Sequence, residues 1–154
     1  VSADASALAV REGREAILYR TDVKLFAAQV WARRRGLEQP ADPLAARDAD
    51  YDCDRWSCAP RAGTDGPRVA AIWTRRASTI ERKLPMFCQW AEVVIVRGAA
   101  DPAACPGALL LTDRDFERGG SAELYRRPDG RWRIVWAQPL RGDRPWTAGI
   151  IGDE

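Results

Sequence analysis

A chain of 154 residues with 46% hydrophobic and 30% charged side chains has the size of one globular domain, able to bury about 70% of its unfolded surface without help from disulfides. Its 24 basic and 22 acidic residues leave a net charge of +2, too weak a field to name a nucleic acid, a membrane or an acidic partner by itself. The absence of histidine excludes His-based acid–base catalysis, Ser-His-Asp and Cys-His nucleophiles and His-rich zinc sites.

Residues 1–6 are small and polar and are expected to fray. Ala7–Arg11 and Arg14–Arg20 alternate apolar and polar positions around Glu12-Gly13, which predicts a β-hairpin. Thr21 and Asp22 are N-cap candidates, and Val23, Phe26, Ala27, Val30 and Trp31 fall on one face of a helix that ends at Gly36. Arg33, Arg34 and Arg35 close that helix, where cations suit the negative end of its dipole and where they are also candidates for phosphate contact. Residues 37–50, with Pro40 and Pro43, read as an irregular loop.

Ser57–Pro60 and Arg68–Thr74 flank a turn-rich stretch and predict a second hairpin, with Val69, Ala71 and Trp73 on one face. A second helix follows, with Ser78 and Glu81 as a capping box, Ile80, Leu84 and Phe87 or Cys88 on one face, and Pro85 as its limit or kink. Ala91–Val96 is apolar except for Glu92, as a central strand would be, and Ala108–Leu111 is a short buried strand. Thr112 and Asp115 cap a brief helix that stops at Gly119-Gly120. Ser121–Arg127 and Arg131–Ala137 form a hairpin around Pro128-Asp129-Gly130, with Trp132, Ile134 and Trp136 facing the core, supported by Leu124. Arg126, Arg127, Arg131 and Arg133 would then project from the opposite face as a basic surface. Beyond Gln138 the chain is extended and polar, with Trp146 alone expected to dock.

This order predicts an α+β domain, a mixed or mostly antiparallel sheet in two layers with two main helices. The hairpin-then-helix unit occurs twice, at 7–36 and 55–90, which suggests an internal repeat. The chain starts without Met, has no signal-like segment and has no apolar run near the ~18 residues of a membrane span, so 1–154 reads as a single domain cut from something longer, with 147–154 a flexible end.

Asp48, Asp50, Asp52 and Asp54 recur at every second position like the opening of a calcium loop, but its sixth and twelfth places hold Cys53 and Ala59 instead of Gly and Glu. Asp50, Asp52 and Asp54 could still share one face of an extended segment and hold Mg²⁺ for phosphodiester chemistry. The four cysteines, Cys53, Cys58, Cys88 and Cys105, fit disulfides in an oxidising compartment better than one structural zinc, because neither a four-residue nor a sixteen-residue gap is a zinc knuckle.

Several stretches resemble one family. They are Cys53-x4-Cys58 with a Trp inside, Cys88-Gln-Trp-Ala-Glu-Val-Val-Ile-Val96 leading to Cys105-Pro106, Leu109–Phe116, Ala122–Tyr125 and Asp143-Arg-Pro-Trp146. Together they are similar to the soluble C-terminal domain of alphaproteobacterial ComEC proteins, the polytopic channels that carry single-stranded DNA into competent cells. The resemblance implies a reduced metallo-β-lactamase-like fold without its zinc site, since no histidine is present to hold the metal. It implies a position on the periplasmic side of the cytoplasmic membrane, where the pairings Cys53–Cys58 and Cys88–Cys105 are natural. The partners it implies are single- or double-stranded DNA, the membrane channel of the same polypeptide and other competence proteins.

The leading expectation is therefore a non-catalytic, cofactor-free domain that binds or guides DNA through Arg33, Arg34, Arg35, Arg126, Arg131 and Arg133. A carboxylate- and metal-dependent nuclease built on Asp50, Asp52 and Asp54, acting on the strand that is not transported, is the first alternative. A structural cap on the channel is the second.

Overall fold

The computed structural model describes residues 1–21 and 26–138. The chain is an α+β protein built on a five-stranded mixed sheet of order β3-β4-β5-β6-β7, with two separate two-stranded hairpins. The first hairpin joins β1 (Ala9–Glu12) to β2 (Glu15–Leu18), and Gly13 takes φ +56° in its two-residue turn, where other residues would be strained. Helix α1 (Phe26–Arg34) packs small side chains on it, Ala28 against Ala7 and Ala32 against Ala16. It ends in a Schellman motif, with Leu37 N–H donating to the Ala32 carbonyl and Gly36 N–H to that of Arg33. The predicted start of this helix, with Asp22 as cap and Val23 on its face, lies outside the described residues.

The stretch expected to be an irregular loop contains a helix, α2 (Pro43–Asp50). The Asp42 carboxylate accepts from the N–H groups of Leu44 and Ala45, and Pro43 occupies the first position, where a missing N–H costs nothing. No residue of α2 is fully buried, and Ala46 packs against the core from a partly buried position. Strand β3 (Tyr51–Cys53) then pairs with β4 (Ser57–Pro60), and β4 pairs with β5 (Val69–Ile72), which is the predicted hairpin.

From β5 the chain crosses through α3 (Ala77–Trp90) to β6 (Val93–Val96), parallel to β5, and β7 (Leu109–Leu111) lies parallel to β6 at the edge. Each central strand is buried on both faces. Val69, Ala71, Val93 and Ile95 face the hairpins, and Ala70, Ile72, Val94 and Val96 face Ile80, Leu84 and Phe87 of α3. Two-sided burial is why these strands read as unbroken apolar runs. The N-cap of α3 is Arg76, without a side-chain cap bond, so Ser78 and Glu81 form no capping box. The N–H of Arg76 instead donates to the Thr74 hydroxyl. Pro85 neither ends the helix nor faces the core; it lies on the exposed side of a continuous 14-residue element.

Helix α4 (Asp113–Gly119) has the predicted capping box between Thr112 and Asp115. Strands β8 (Ala122–Arg126) and β9 (Trp132–Trp136) form the last hairpin, and Trp136 packs edge-on against Phe116. The opening residues, expected to fray, are hydrogen-bonded, with Ser2 N–H donating to the Ala7 carbonyl and Ala5 N–H to that of Ser2. Trp146 and residues 147–154 lie outside the described residues.

The four cysteines form two disulfides. Cys53 and Cys58 are directly opposed in β3–β4 with Cα atoms 4.0 Å apart. Cys88, in the last turn of α3, reaches buried Cys105 in the loop between β6 and β7 across 5.1 Å. A four-thiolate zinc site is thereby excluded, and bonds of this kind persist in oxidising compartments. Among the described residues no helix is long and apolar enough to cross a membrane.

Candidate nucleic-acid interface

The six arginines singled out in the sequence do not form one surface. Arg33 and Arg34 are exposed at the end of α1. Arg35, just past them, reaches the last hairpin, where its Nη2 donates to the Glu123 carboxylate and, at 2.6 Å, to the Tyr125 hydroxyl. Its guanidinium also stands 5.8 Å from the Tyr125 ring centre. Arg126 donates to Glu92 Oε1 at 2.9 Å, an oxygen that also accepts from Arg68 at 3.0 Å. Arg131 stays within its own turn, 3.6 Å from Asp129, and Arg133 is exposed.

The pleat explains the division. Arg126 lies opposite Trp132 and therefore shares the face of Trp132, Ile134 and Trp136, whereas Arg133 pairs with Tyr125 on the other face. The expected basic face holding Arg126 and Arg133 together does not form.

The structure does bring Arg35 and Arg126 to one cleft of about 480 Å³, where the first hairpin, the end of α1, the main sheet and the last hairpin meet. Its floor is apolar, with Leu8, Val10, Val69 and Ile95. Trp31, Tyr125 and Trp132 supply aromatic walls, and Arg11, Asp65 and Glu123 complete the charged rim. Among the described residues, buried Trp132 Nε1 has no hydrogen-bond partner, and neither has Glu92 Oε2 beside Arg126. Burial raises the Glu123 pKa, but hydrogen bonds from Tyr125 and Arg35 and the Arg35 charge outweigh it and hold the carboxyl below its ordinary range. The Tyr125 phenol is pushed up, first by its hydrogen bond to Glu123 and then by burial. Arg35 is thus a fixed cation beside an ionised carboxylate.

The carboxylates proposed for metal binding are dispersed. Asp48 and Asp50 belong to α2, Asp52 is exposed on β3, and Asp54 begins the β3–β4 turn. An alternating pattern makes one face only in a continuous strand, and here the chain passes from helix to strand at Tyr51. Asp54 is already committed, accepting from the N–H groups of Trp56 and Ser57, from the Ser57 hydroxyl and from Lys83. Among the described residues no three His, Cys, Asp or Glu side chains converge as metal ligands.

One arrangement was missed in the sequence. The guanidiniums of Arg55 and Arg76 both stand over the Trp56 ring, 4.6 and 5.0 Å from its centre, and exposed Arg75 precedes Arg76 in the chain. Residues 56 and 76 meet only because β4 pairs with β5, and the local signals, Arg-Trp at 55–56 and Trp-Thr-Arg-Arg at 73–76, are too short to single them out. The aromatic walls of the cleft were likewise hidden, since Trp31 and Trp132 read as core residues. The chain matches no protein-family model, no curated protein and no solved structure.

Proposed function

We propose that the chain is an extracytoplasmic domain of a ComEC-type DNA-uptake channel and that it holds single-stranded DNA across the cleft between its two hairpins. The observation that carries this reading is the grouping of Trp31, Tyr125 and Trp132 with Arg11, Arg35 and Arg126 around one cleft. Sites for single strands combine cations that follow the backbone with aromatic faces on which bases stack, at about 1–3 kcal/mol per base. The apolar floor offers a base a dry surface. Arg35 and Arg126 are steadied by Glu123 and Glu92 and keep further guanidinium N–H groups for phosphate oxygens. The disulfides and the family resemblance support a place on the periplasmic side, with the membrane channel of the same polypeptide and other competence proteins as neighbours. With Asp50, Asp52 and Asp54 apart, the reading is one of guiding a strand and not of cutting one.

Equilibrium binding of oligothymidylate, followed by tryptophan quenching, tests the reading. Binding should weaken with salt by about 0.7 in log K per log salt for each phosphate contacted. The double variant R35Q/Y125A should weaken it by about tenfold, the equivalent of about 1.4 kcal/mol from one stacked base. Absence of binding by the intact chain even at low salt would reject the proposal.

A further inference from the structure

We propose that Arg55 and Arg76, organised by the Trp56 ring, form a second nucleic-acid contact, with Arg75 next in the chain, that grips the phosphate backbone and reads no base. The inference rests on the nucleic-acid reading for the class of partner, but on a separate set of residues.

The geometry begins with how firmly the ring is held. Trp56 N–H donates to Asp54 Oδ1 at 2.7 Å, the Trp56 carbonyl accepts from Trp73 N–H at 3.0 Å, and Trp73 Nε1 donates to the Arg55 carbonyl at 2.8 Å. Arg76 is fixed from its own side, its N–H donating to the buried Thr74 hydroxyl at 3.1 Å. Two guanidiniums, one from the β3–β4 turn and one from the N-cap of α3, are thus delivered to one indole.

Charge then defines the partner. The two guanidinium carbons lie 4.6 and 5.0 Å from the same ring centre, so they cannot be much more than about 10 Å apart, about one Debye length at 0.1 M salt. Their repulsion is therefore incompletely screened. The nearby carboxylate of Asp54 is taken by Lys83. Among the described residues Arg55, Arg75 and Arg76 make no ion pair, and all three are exposed.

A polyanion with closely spaced charges relieves that repulsion, and a nucleic-acid strand carries one negative charge per about 3.4 Å of helix axis. Guanidinium forks match phosphate oxygens in geometry. The Trp56 ring carries the guanidiniums, so a base seeking to stack on it competes with them. The contact is accordingly indifferent to sequence.

The test measures the salt dependence of binding for two ligands, oligothymidylate and an oligodeoxynucleotide made wholly of abasic residues, with inorganic phosphate as competitor. For the abasic strand, R55Q/R76Q should reduce the slope of log K against log salt by about 1.4, two contacts at about 0.7 each, while R35Q/Y125A should reduce it by no more than about 0.7, the single phosphate contact of Arg35. Replacing Arg114 and Arg118 on α4 by Gln should change neither slope. An unchanged slope in R55Q/R76Q with a native circular dichroism spectrum overturns the proposal. So does loss of abasic binding in R35Q/Y125A alone, which would place the phosphate contact in the cleft. Inorganic phosphate displacing the abasic strand at equal phosphate concentration would identify an isolated anion site and also overturn it. Oligothymidylate binding without abasic binding rejects this contact and leaves the cleft standing. Oligothymidylate binding untouched by R35Q/Y125A, with abasic binding lost in R55Q/R76Q, does the reverse.

Discussion

One oxygen of the Asp54 carboxylate accepts from the N–H groups of Trp56 and Ser57 and from the Ser57 hydroxyl, while the other takes the Lys83 ammonium, which also donates to Ser57 Oγ at 2.8 Å. A single side chain therefore shapes the β3–β4 turn and ties it to α3. Burial raises its pKa, but the Lys83 hydrogen bond, the Trp56 N–H and the Lys83 charge outweigh that and hold it below the ordinary value. A carboxyl with a depressed folded-state pKa stabilises fully above its unfolded value, near about 4, and that stabilisation disappears as pH falls through the depressed value. Asp4 and Glu123 act in the same direction. Glu12 opposes them, because burial and the charges of Asp50 and Glu15 raise its pKa despite the Tyr51 hydrogen bond, so the fold favours its protonated form. Thermal melts from pH 6 down to pH 2 should show a loss of stability below about pH 4 that is shallower in D54N. Asn retains the turn-forming oxygen, so D54N should cost only about 0–1 kcal/mol at neutral pH, whereas D54A, which also leaves the turn N–H groups without their acceptor, should cost about 1 kcal/mol more. Equal melting temperatures for the two variants would refute this division of roles.

At the scale of elements, close approach decides the seat of the last hairpin. A Cβ on Gly119 would lie 2.2 Å from Trp136 Cε3, against a ring that also packs on Phe116, whereas one on Gly98 would meet only the flexible end of Ile80 at 2.8 Å. G119A should therefore cost about 1–3 kcal/mol in urea unfolding and G98A distinctly less, since a ring wedged between elements cannot turn aside as a methyl can. Pro85 makes the opposite prediction. It sits on the exposed side of α3, so P85A regains a helix hydrogen bond without losing core packing, and the urea midpoint should rise. The gain is reduced by about 0.4–1 kcal/mol because Ala leaves the unfolded chain freer. A lower midpoint in P85A would show that the ring makes a contact worth more than that bond.

The same elements show what the sequence makes legible. The hairpins at Gly13 and Pro128-Asp129-Gly130, the central strand at Val93–Val96 and the Thr112–Asp115 capping box were readable because turn chemistry or two-sided burial leaves a local mark. β5, α3 and β6 form a parallel crossover, and after β2 and α1 the chain returns at Glu38 to bridge Glu15 in parallel. Helix α2 was not legible because no residue of it is fully buried, leaving only Asp42-Pro43 as a sign, and β3 was masked by the acidic alternation that runs across its boundary with α2. The candidate site was legible only as separate arginines. Which of them meet, and on which aromatic rings, depends on pairings between distant strands that no local pattern encodes.

For the whole molecule the two disulfides differ in what they constrain. Cys53–Cys58 closes a separation of 5 residues inside one hairpin, where the chain is already committed by β3–β4 pairing and by Asp54. Cys88–Cys105 closes 17 residues and joins the end of α3 to the loop before β7, on the face where Ile80, Leu84 and Phe87 pack against the sheet. The chain-entropy relation assigns them about 2 and about 3 kcal/mol. Replacing both members of each pair with Ser should thus lower the urea midpoint in both cases, and more for C88S/C105S. Intact-mass measurement with and without reductant and alkylation checks the premise, because the native chain should be lighter by four hydrogens and unlabelled until reduced. The ranking also follows from location, since loss of Cys88–Cys105 frees a loop that covers one face of the sheet, whereas loss of Cys53–Cys58 leaves the β3–β4 turn still held by Asp54 and Lys83. A larger loss in C53S/C58S would mean that the β3–β4 hairpin and not the α3 face governs the global transition, and that variant should then also disturb the Trp56 platform that the hairpin carries.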